Sequence, residues 1–161
     1  MLGIRRLLSG RWARAPDRFD PQRVRRALED AYQMTHGRLP VEVQSDVARI
    51  RQRILALVPR ADEFPLGSVD LFLLQRIAVD YLPTAIAAYL ALPPGAATRP
   101  VQGNLTPLDL LRHQLWLVEV RIAGIAETAE HRDVDNLVAH GRFLEEQLGD
   151  PSDDLSLPPT S

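Results

Sequence analysis

Apolar residues recur at alternating spacings of three and four along most of this chain, which is the period of one helix face. The clearest example covers residues 106–129, where Thr106 and Pro107 form an N-cap and first-turn pair. The row that follows consists of Leu108, Leu111, Leu115, Val118, Ile122 and Ile125. Three further apolar residues, Leu110, Leu117 and Val120, widen this face. We therefore expect a central helix that packs against more than one neighbour.

The same period predicts three helices before this one. Asp20 and Pro21 repeat the cap-plus-proline signal for a helix that reaches about residue 35. Pro40 introduces a second helix that continues through Val58. Ser68 can cap a third, over about residues 69–92. His36-Gly37 and Pro59 are the corresponding stop signals.

A last helix is predicted over residues 133–148, after a polar junction around His131. Its inward row is expected to be Val134, either Leu137 or Val138, and then Gly141, Leu144 and Leu148. Glycine in such a row favours close approach of a neighbour, with Trp116 or Tyr81 as candidates. Gly149 ends the helix, and the acidic, proline-rich residues 150–161 are expected to be disordered.

Pro83 lies inside the third predicted helix and predicts a kink or a break near residues 80–82, because proline lacks an N–H group. A kink can border a pocket, so Asp80, Tyr81 and Trp116 are the candidate pocket residues. The alternative is that Asp80 caps the half-helix that starts at Pro83 and that the kink only bends the helix around the core.

The fold class predicted from these elements is all-α, an antiparallel bundle of four to five helices. Residues 1–19 form a basic N-terminal arm, residues 20–149 the helical bundle and residues 150–161 the tail. No strand alternation persists, and the pattern contains no glycine–asparagine hairpin turn. No window of eighteen uncharged apolar residues occurs, so no transmembrane helix is expected.

Composition adds few constraints. The chain has 161 residues, no cysteine and a net charge of −2, so disulfides and thiolate chemistry are excluded. Charge is unevenly placed: residues 1–60 carry 13 arginines against 6 acids, and residues 61–161 carry 6 against 15. The two halves therefore have opposite net charge and could pair head-to-tail between copies.

Residues 1–16, hereafter the basic segment, contain four arginines and no acid. Met1, Ile4, Leu7, Leu8 and Trp12 share a face on a helical wheel, although Arg11 lies on the same face. Such a segment can lie on an anionic membrane surface or bind an anion, or it can be a frayed arm or a short helix that caps the bundle through Trp12. A mitochondrial targeting segment has a similar composition and is a further alternative in a eukaryote. The candidate contact residues are Arg5, Arg6, Arg11, Trp12 and Arg14.

No signature of a reaction centre occurs in the sequence. Glu127 and His131 are four residues apart and could offer two metal ligands, but a closed site needs three or four. His113 is expected to pair with Asp109. There is no nucleophile elbow and no phosphate-binding glycine loop. We predict no catalytic, cofactor-binding or metal-ligating residue. The arginines do not predict nucleic-acid binding either, because no recognition motif or pair of stacking aromatics accompanies them.

Several runs resemble a helical family of GC-rich, chiefly actinobacterial bacteria. These runs are DYLPTAIAAYLALP, TRPVQGNLT, LLRHQLWLVEVRIAGI and GRFLEEQLG, within about residues 45–149. They are loosely similar to helical parts of XpaC-like and toxic-anion-resistance proteins. The resemblance implies a stress- or envelope-associated helical module and supplies no catalytic residues.

The function that these patterns predict is a non-enzymatic interaction or scaffold module in the cytoplasm, which binds another protein or its own copy. One alternative is a peripheral membrane protein held by the basic segment. A second alternative is a small-ligand-binding bundle, with its pocket near Tyr81 and Trp116.

Overall fold

The computed structural model describes residues 18–148 and confirms the all-α fold, since no strand occurs in that range. It contains four helices: α1 (Pro21–Thr35), α2 (Val41–Leu57), α3 (Val69–Leu90) and α4 (Pro107–Leu148). The chain forms two compact units, Met1–Gly124 and Ile125–Ser161. The range predicted for the bundle, residues 20–149, spans both units. The basic segment and the acidic tail lie outside the described residues.

Helix α1 begins as its sequence predicts. The Asp20 carboxylate accepts hydrogen bonds from the backbone N–H groups of Gln22 and Arg23, at 3.0 and 3.1 Å. The backbone N–H of Asp20 donates to the side-chain oxygen of Gln75 in α3, at 2.8 Å. Because Gln75 is buried, this bond fixes the start of α1 against the middle of α3.

The core of the first unit lies where α1 packs against α2 and against the second half of α3. The apolar spacing of the three sequences accounts for these contacts, because each row falls on one helix face. A 3-10 turn, Val58–Glu63, follows α2 directly. The buried aliphatic side chains of these three helices include Val24, Leu28, Val43, Val47, Ile50, Ile54, Leu74, Leu82 and Ile86.

Helix α3 contains a π-helical turn next to Pro83. An α-helical segment, Val69–Arg76, leads into the π turn, Ile77–Tyr81, and then into a second α segment, Leu82–Leu90. The Leu82 N–H donates to the carbonyl of Ile77, five residues back. The irregularity predicted from Pro83 is therefore a widened turn that keeps the helix continuous.

One sequence-based expectation about α3 needs correction. Asp80 does not cap the segment after it, since no side chain caps that segment. Its carboxylate pairs instead with Arg76 one turn earlier, at 2.5 Å. By length and apolar composition alone, α3 could cross a membrane. Core helices share these properties, and α3 buries Leu74, Leu82 and Ile86 in the first unit.

The connection between α3 and α4 contains a 3-10 turn, Ala96–Thr98, and a tight reverse turn at Gly103. The Leu105 N–H donates to the carbonyl of Gln102 at 3.0 Å, and the Val101 N–H donates to Leu105 at 2.9 Å. Gly103 has φ +60°, a conformation that favours glycine. A Gly103–Asn104 turn is thus present, contrary to the sequence-based expectation, although it joins an isolated bridge and no strands.

Helix α4 begins at the predicted cap. The Thr106 hydroxyl accepts the Asp109 N–H at 3.2 Å, and the Asp109 carboxylate accepts the Thr106 N–H at 2.9 Å. This reciprocal pair is a capping box with aspartate in the third helical position. The helix then runs without interruption for 42 residues. The predicted junction around His131, with a separate last helix over residues 133–148, is wrong.

Candidate functional site

The first candidate lies in the first unit, where charged side chains join α2 to α4. We call Asp46, Arg49, Arg53, Arg112 and Glu119 the Asp46 cluster. Asp46 is buried on α2, and its carboxylate accepts hydrogen bonds from Arg49 and from Arg112, the latter at 2.9 Å. Its hydrogen bonds to the two guanidinium groups raise the pKa of Arg49 and of Arg112.

Glu119 of α4 completes the cluster. Its carboxylate forms ion pairs with two arginines of α2: the Nε atom of Arg49 lies 3.3 Å from Glu119 Oε1, and the Nε atom of Arg53 lies 3.4 Å from it. Arg49 and Arg53 are four residues apart and therefore lie on the same side of α2. The acidic group is contributed by this chain.

A shallow groove lies over the cluster, bounded by Asp46, Arg49, Arg112, Trp116 and Glu119. Both carboxylates in this groove are already bonded to two arginines each. A charged ligand would have to displace those arginines, so the chemistry of the groove favours a structural role in joining α2 to α4.

Trp116 lies at the edge of this groove and is 55% exposed. Its ring stacks on His113, with ring centres 5.7 Å apart. His113 was expected to pair with Asp109, but the Asp109 carboxylate is used by the cap at Thr106. Leu117 and Val120 are also half exposed. The expectation that Leu117 and Val120 widen the buried face of α4 is therefore wrong.

The structure places the three predicted pocket residues in different surroundings. Trp116 borders the groove described above, and neither Asp80 nor Tyr81 is among its walls. Asp80 pairs with Arg76, and Tyr81 is part of the π turn. Partial burial raises the pKa of the Tyr81 hydroxyl. A ligand pocket shared by these three residues stays a prediction.

The other sequence candidates contribute no assembled site within residues 18–148. His131 forms a 2.9 Å hydrogen bond with the backbone carbonyl of Glu127, rather than sharing a metal with its carboxylate. No group of three or more histidine or acidic side chains that could hold a metal ion occurs in that range. Arg5, Arg6, Arg11, Trp12 and Arg14 lie outside it.

The second candidate lies in the second unit. After Ala129 every described residue of α4 is exposed, except the partly buried Arg132. We call five of these residues the C-terminal row: Val134, Leu137, Val138, Leu144 and Leu148. Their exposed fractions are 58, 71, 47, 41 and 78%. The sequence predicted this row to face inward, and that expectation is wrong.

Gly141 lies in the middle of the C-terminal row. A Cβ atom added at this position would meet nothing within 4 Å, so the predicted close neighbour of Gly141 is absent among the described residues. The row and its central glycine extend along about 21 Å of one exposed helix face, from the helical rise over fourteen residues.

The surroundings of the C-terminal row are acidic. Residues 125–148 carry six acidic side chains and two arginines, a net charge of −4. Sequence analysis identified the row but not its exposure, because a three-four period marks an apolar helix face without saying what covers it.

Comparisons with known proteins do not assign this chain to a family: no family model matches, and neither the curated proteins nor the solved structures contain a significant match.

Proposed function

We propose that this protein is a helical interaction module, whose C-terminal row binds an apolar helix face of another polypeptide. The observation that carries the proposal is the exposure of five aliphatic side chains in register on one face of α4. Scattered exposed apolar residues are ordinary on protein surfaces, but a contiguous row of them indicates an interaction site.

The energetics of this part of α4 support the proposal. Most of the stability of a helix in a protein comes from tertiary packing of its apolar face. None of residues 130–148 is buried and only Arg132 is partly buried, so this part of α4 lacks such packing. Covering a valine or leucine completely is worth about 1.5–3 kcal/mol, so a partner along the row would gain a large part of that at each position.

A photo-crosslinking amino acid in place of Leu137 tests the proposal in the cells that make the protein. We expect a discrete covalent adduct after illumination, because the Leu137 side chain would lie inside the interface. Ala139 is exposed on the opposite face of the same helix and provides the matched control.

An adduct from Leu137 and none from Ala139 supports an interface along the row, and the mass of the adduct gives the size of the partner. No adduct from either position, or equal adducts from both, contradicts the proposal.

The remaining sequence-based hypotheses are kept as proposals. They are a cytoplasmic location, an association with stress or the cell envelope, attachment to an anionic membrane through the basic segment, and ligand binding near Tyr81 and Trp116. None of them has a described contact that favours it over the interaction module.

A further inference from the structure

Charge restricts what can cover the C-terminal row. Glu127, Glu130 and Glu145 follow the same helix face as the row, at multiples of three and four residues from its members. All three are exposed. Two rows from two copies would bring two such acidic faces together, each from a segment of net charge −4, and like charges across an interface are unfavourable.

A segment of opposite charge and matching apolar pattern exists in this chain. The basic segment carries four arginines and no acid, a net charge of +4 from its side chains. Five of its apolar residues have the spacing of one helix face, which they share with Arg11: Met1, Ile4, Leu7, Leu8 and Trp12. If it binds as a helix, a segment of sixteen residues would be about 24 Å long, close to the roughly 21 Å of the C-terminal row.

We propose that the basic segment of a second copy of this chain is the partner that covers the C-terminal row. This inference rests on the proposed function and names its partner. The apolar face of the segment packs on Leu137, Leu144 and their neighbours, while its arginines pair with the glutamates beside the row. Gly141 allows the two helices to approach closely at the centre of the contact.

The charge distribution of the whole chain favours a second copy as the source of the segment. Residues 1–60 carry 13 arginines against 6 acids, and residues 61–161 carry 6 arginines against 15 acids. The basic end of one copy and the acidic end of another therefore attract each other head-to-tail.

Sedimentation velocity of the full chain at rising concentration tests the inference. In about 0.05 M salt, where screening is weak, we expect the wild type to associate, and the association should weaken as the salt rises. Two variants should each weaken it about tenfold or more, because one removes the charge complement and the other the apolar contact. The first carries Arg5→Glu, Arg6→Glu, Arg11→Glu and Arg14→Glu, and the second carries Leu137→Asp and Leu144→Asp.

A matched control and a charge exchange make the result specific. Ala139→Asp adds the same carboxylate to the opposite face of α4 and should leave association unchanged. The charge exchange adds Glu127→Arg, Glu130→Arg and Glu145→Arg to the chain that already carries the four arginine substitutions. This variant should associate again, because the two surfaces once more have opposite charges.

Each contrary outcome has a distinct meaning. If the leucine variant loses association and the arginine variant keeps it, the row has another partner, so this inference fails while the proposed function stands. If both variants associate like the wild type, this inference fails, because neither the arginines nor the row then contributes to association, and the proposed function is decided by the crosslinking at Leu137. A wild type that stays monomeric, while flotation with phosphatidylserine vesicles shows binding that the arginine variant loses, overturns the inference, because the segment then serves a membrane surface.

Discussion

The two parts of α4 carry the same apolar spacing in opposite surroundings. In the first part the row of Leu111, Leu115, Val118 and Ile122 is buried, with exposed fractions of 8% or less. In the second part the C-terminal row is 41–78% exposed. One unbroken helix therefore presents one row that the chain covers and another that residues 18–148 leave open to solvent.

This difference separates two properties that sequence patterns combine. Spacing decides that a segment forms an amphipathic helix, and this held for both parts. Burial depends on whether another segment lies opposite. For the first part, three ion pairs connect α2 with α4. Arg49 and Arg53 of α2 contact Glu119 of α4, and Arg112 of α4 contacts Asp46 of α2. Exposure of the second row is thus informative about function, while burial of the first is informative about stability.

The largest effect is expected from shortening one leucine in each row. Leu115 is fully buried, so Leu115→Ala should lower the free energy of unfolding by about 2–5 kcal/mol through lost burial and the cavity left behind. Leu137→Ala should change it by no more than about 0.5 kcal/mol in the monomer, because Leu137 already contacts water. Urea denaturation at low protein concentration measures both.

Equal destabilisation by these two substitutions would remove the contrast, since it would mean that Leu137 is covered within a single copy of the chain. Far-ultraviolet circular dichroism of each variant checks that the helical content of the folded state is unchanged.

A smaller effect is expected at the charges that join the first part of α4 to α2. Asp46→Asn leaves Arg49 and Arg112 without their shared carboxylate and should cost about 1–3 kcal/mol, the range for hydrogen bonds to charged groups. Both arginines are about half exposed, so water replaces part of the loss. Glu119→Gln should cost about 1 kcal/mol or less, as surface ion pairs do.

The order of these two substitutions is the informative result. If Glu119→Gln destabilises more than Asp46→Asn under urea, the buried carboxylate is not the centre of the cluster, and the contacts between α2 and α4 depend chiefly on the outer arginine pairs.

Most of the helices could be predicted because their signals are local. Asp20, Ser68 and the Thr106–Pro107 pair are caps, and a cap acts within one turn of its own position. The π turn could be located from Pro83 but its geometry could not, because a missing N–H can be accommodated by a kink, a break or a widened turn. The uninterrupted α4 was missed because its polar residues near His131 were read as a junction.

The candidate sites depended on contacts between distant positions, and these were only partly predictable. Asp46 gave no signal as the centre of the charged cluster, since its partner Arg112 is 66 residues away. The C-terminal row was found by its period and then assigned the wrong environment. The spacing of apolar residues predicts which face of a helix is apolar. It does not predict whether another segment packs on that face.

A third prediction concerns the two glycines of α4, one in each part. A Cβ added at Gly124 or at Gly141 would meet nothing within 4 Å, so alanine fits at either position. Each substitution should stabilise the monomeric helix by up to about 1 kcal/mol, from the difference in helix propensity. Thermal unfolding followed by circular dichroism measures the gain. Gly141→Ala alone should weaken association, because the added methyl group stands where the partner helix approaches.

If Gly124→Ala and Gly141→Ala weaken association equally, or if neither does, close approach at Gly141 is contradicted. A gain in stability at Gly124 together with a loss at Gly141 would show that the second glycine is already covered within one copy.

The smallest effect is expected at the capped beginning of α4. Two hydrogen bonds from Thr106 lower the pKa of the Asp109 carboxyl group: the one from the backbone N–H has the larger effect, and the one from the hydroxyl has the smaller. The carboxyl group of unfolded aspartate has a pKa of about 3.9. The cap therefore contributes fully to the free energy of unfolding above that pH, and its contribution is lost as the pH falls through the lower pKa of the folded state.

Asp109→Asn should reduce the pH dependence of the free energy of unfolding below about pH 4, as measured by urea titrations at several pH values. An unchanged pH profile would mean that water competes successfully with the cap at this exposed position. The beginning of α4 would then resemble its far end, where the described side chains are almost all exposed to solvent.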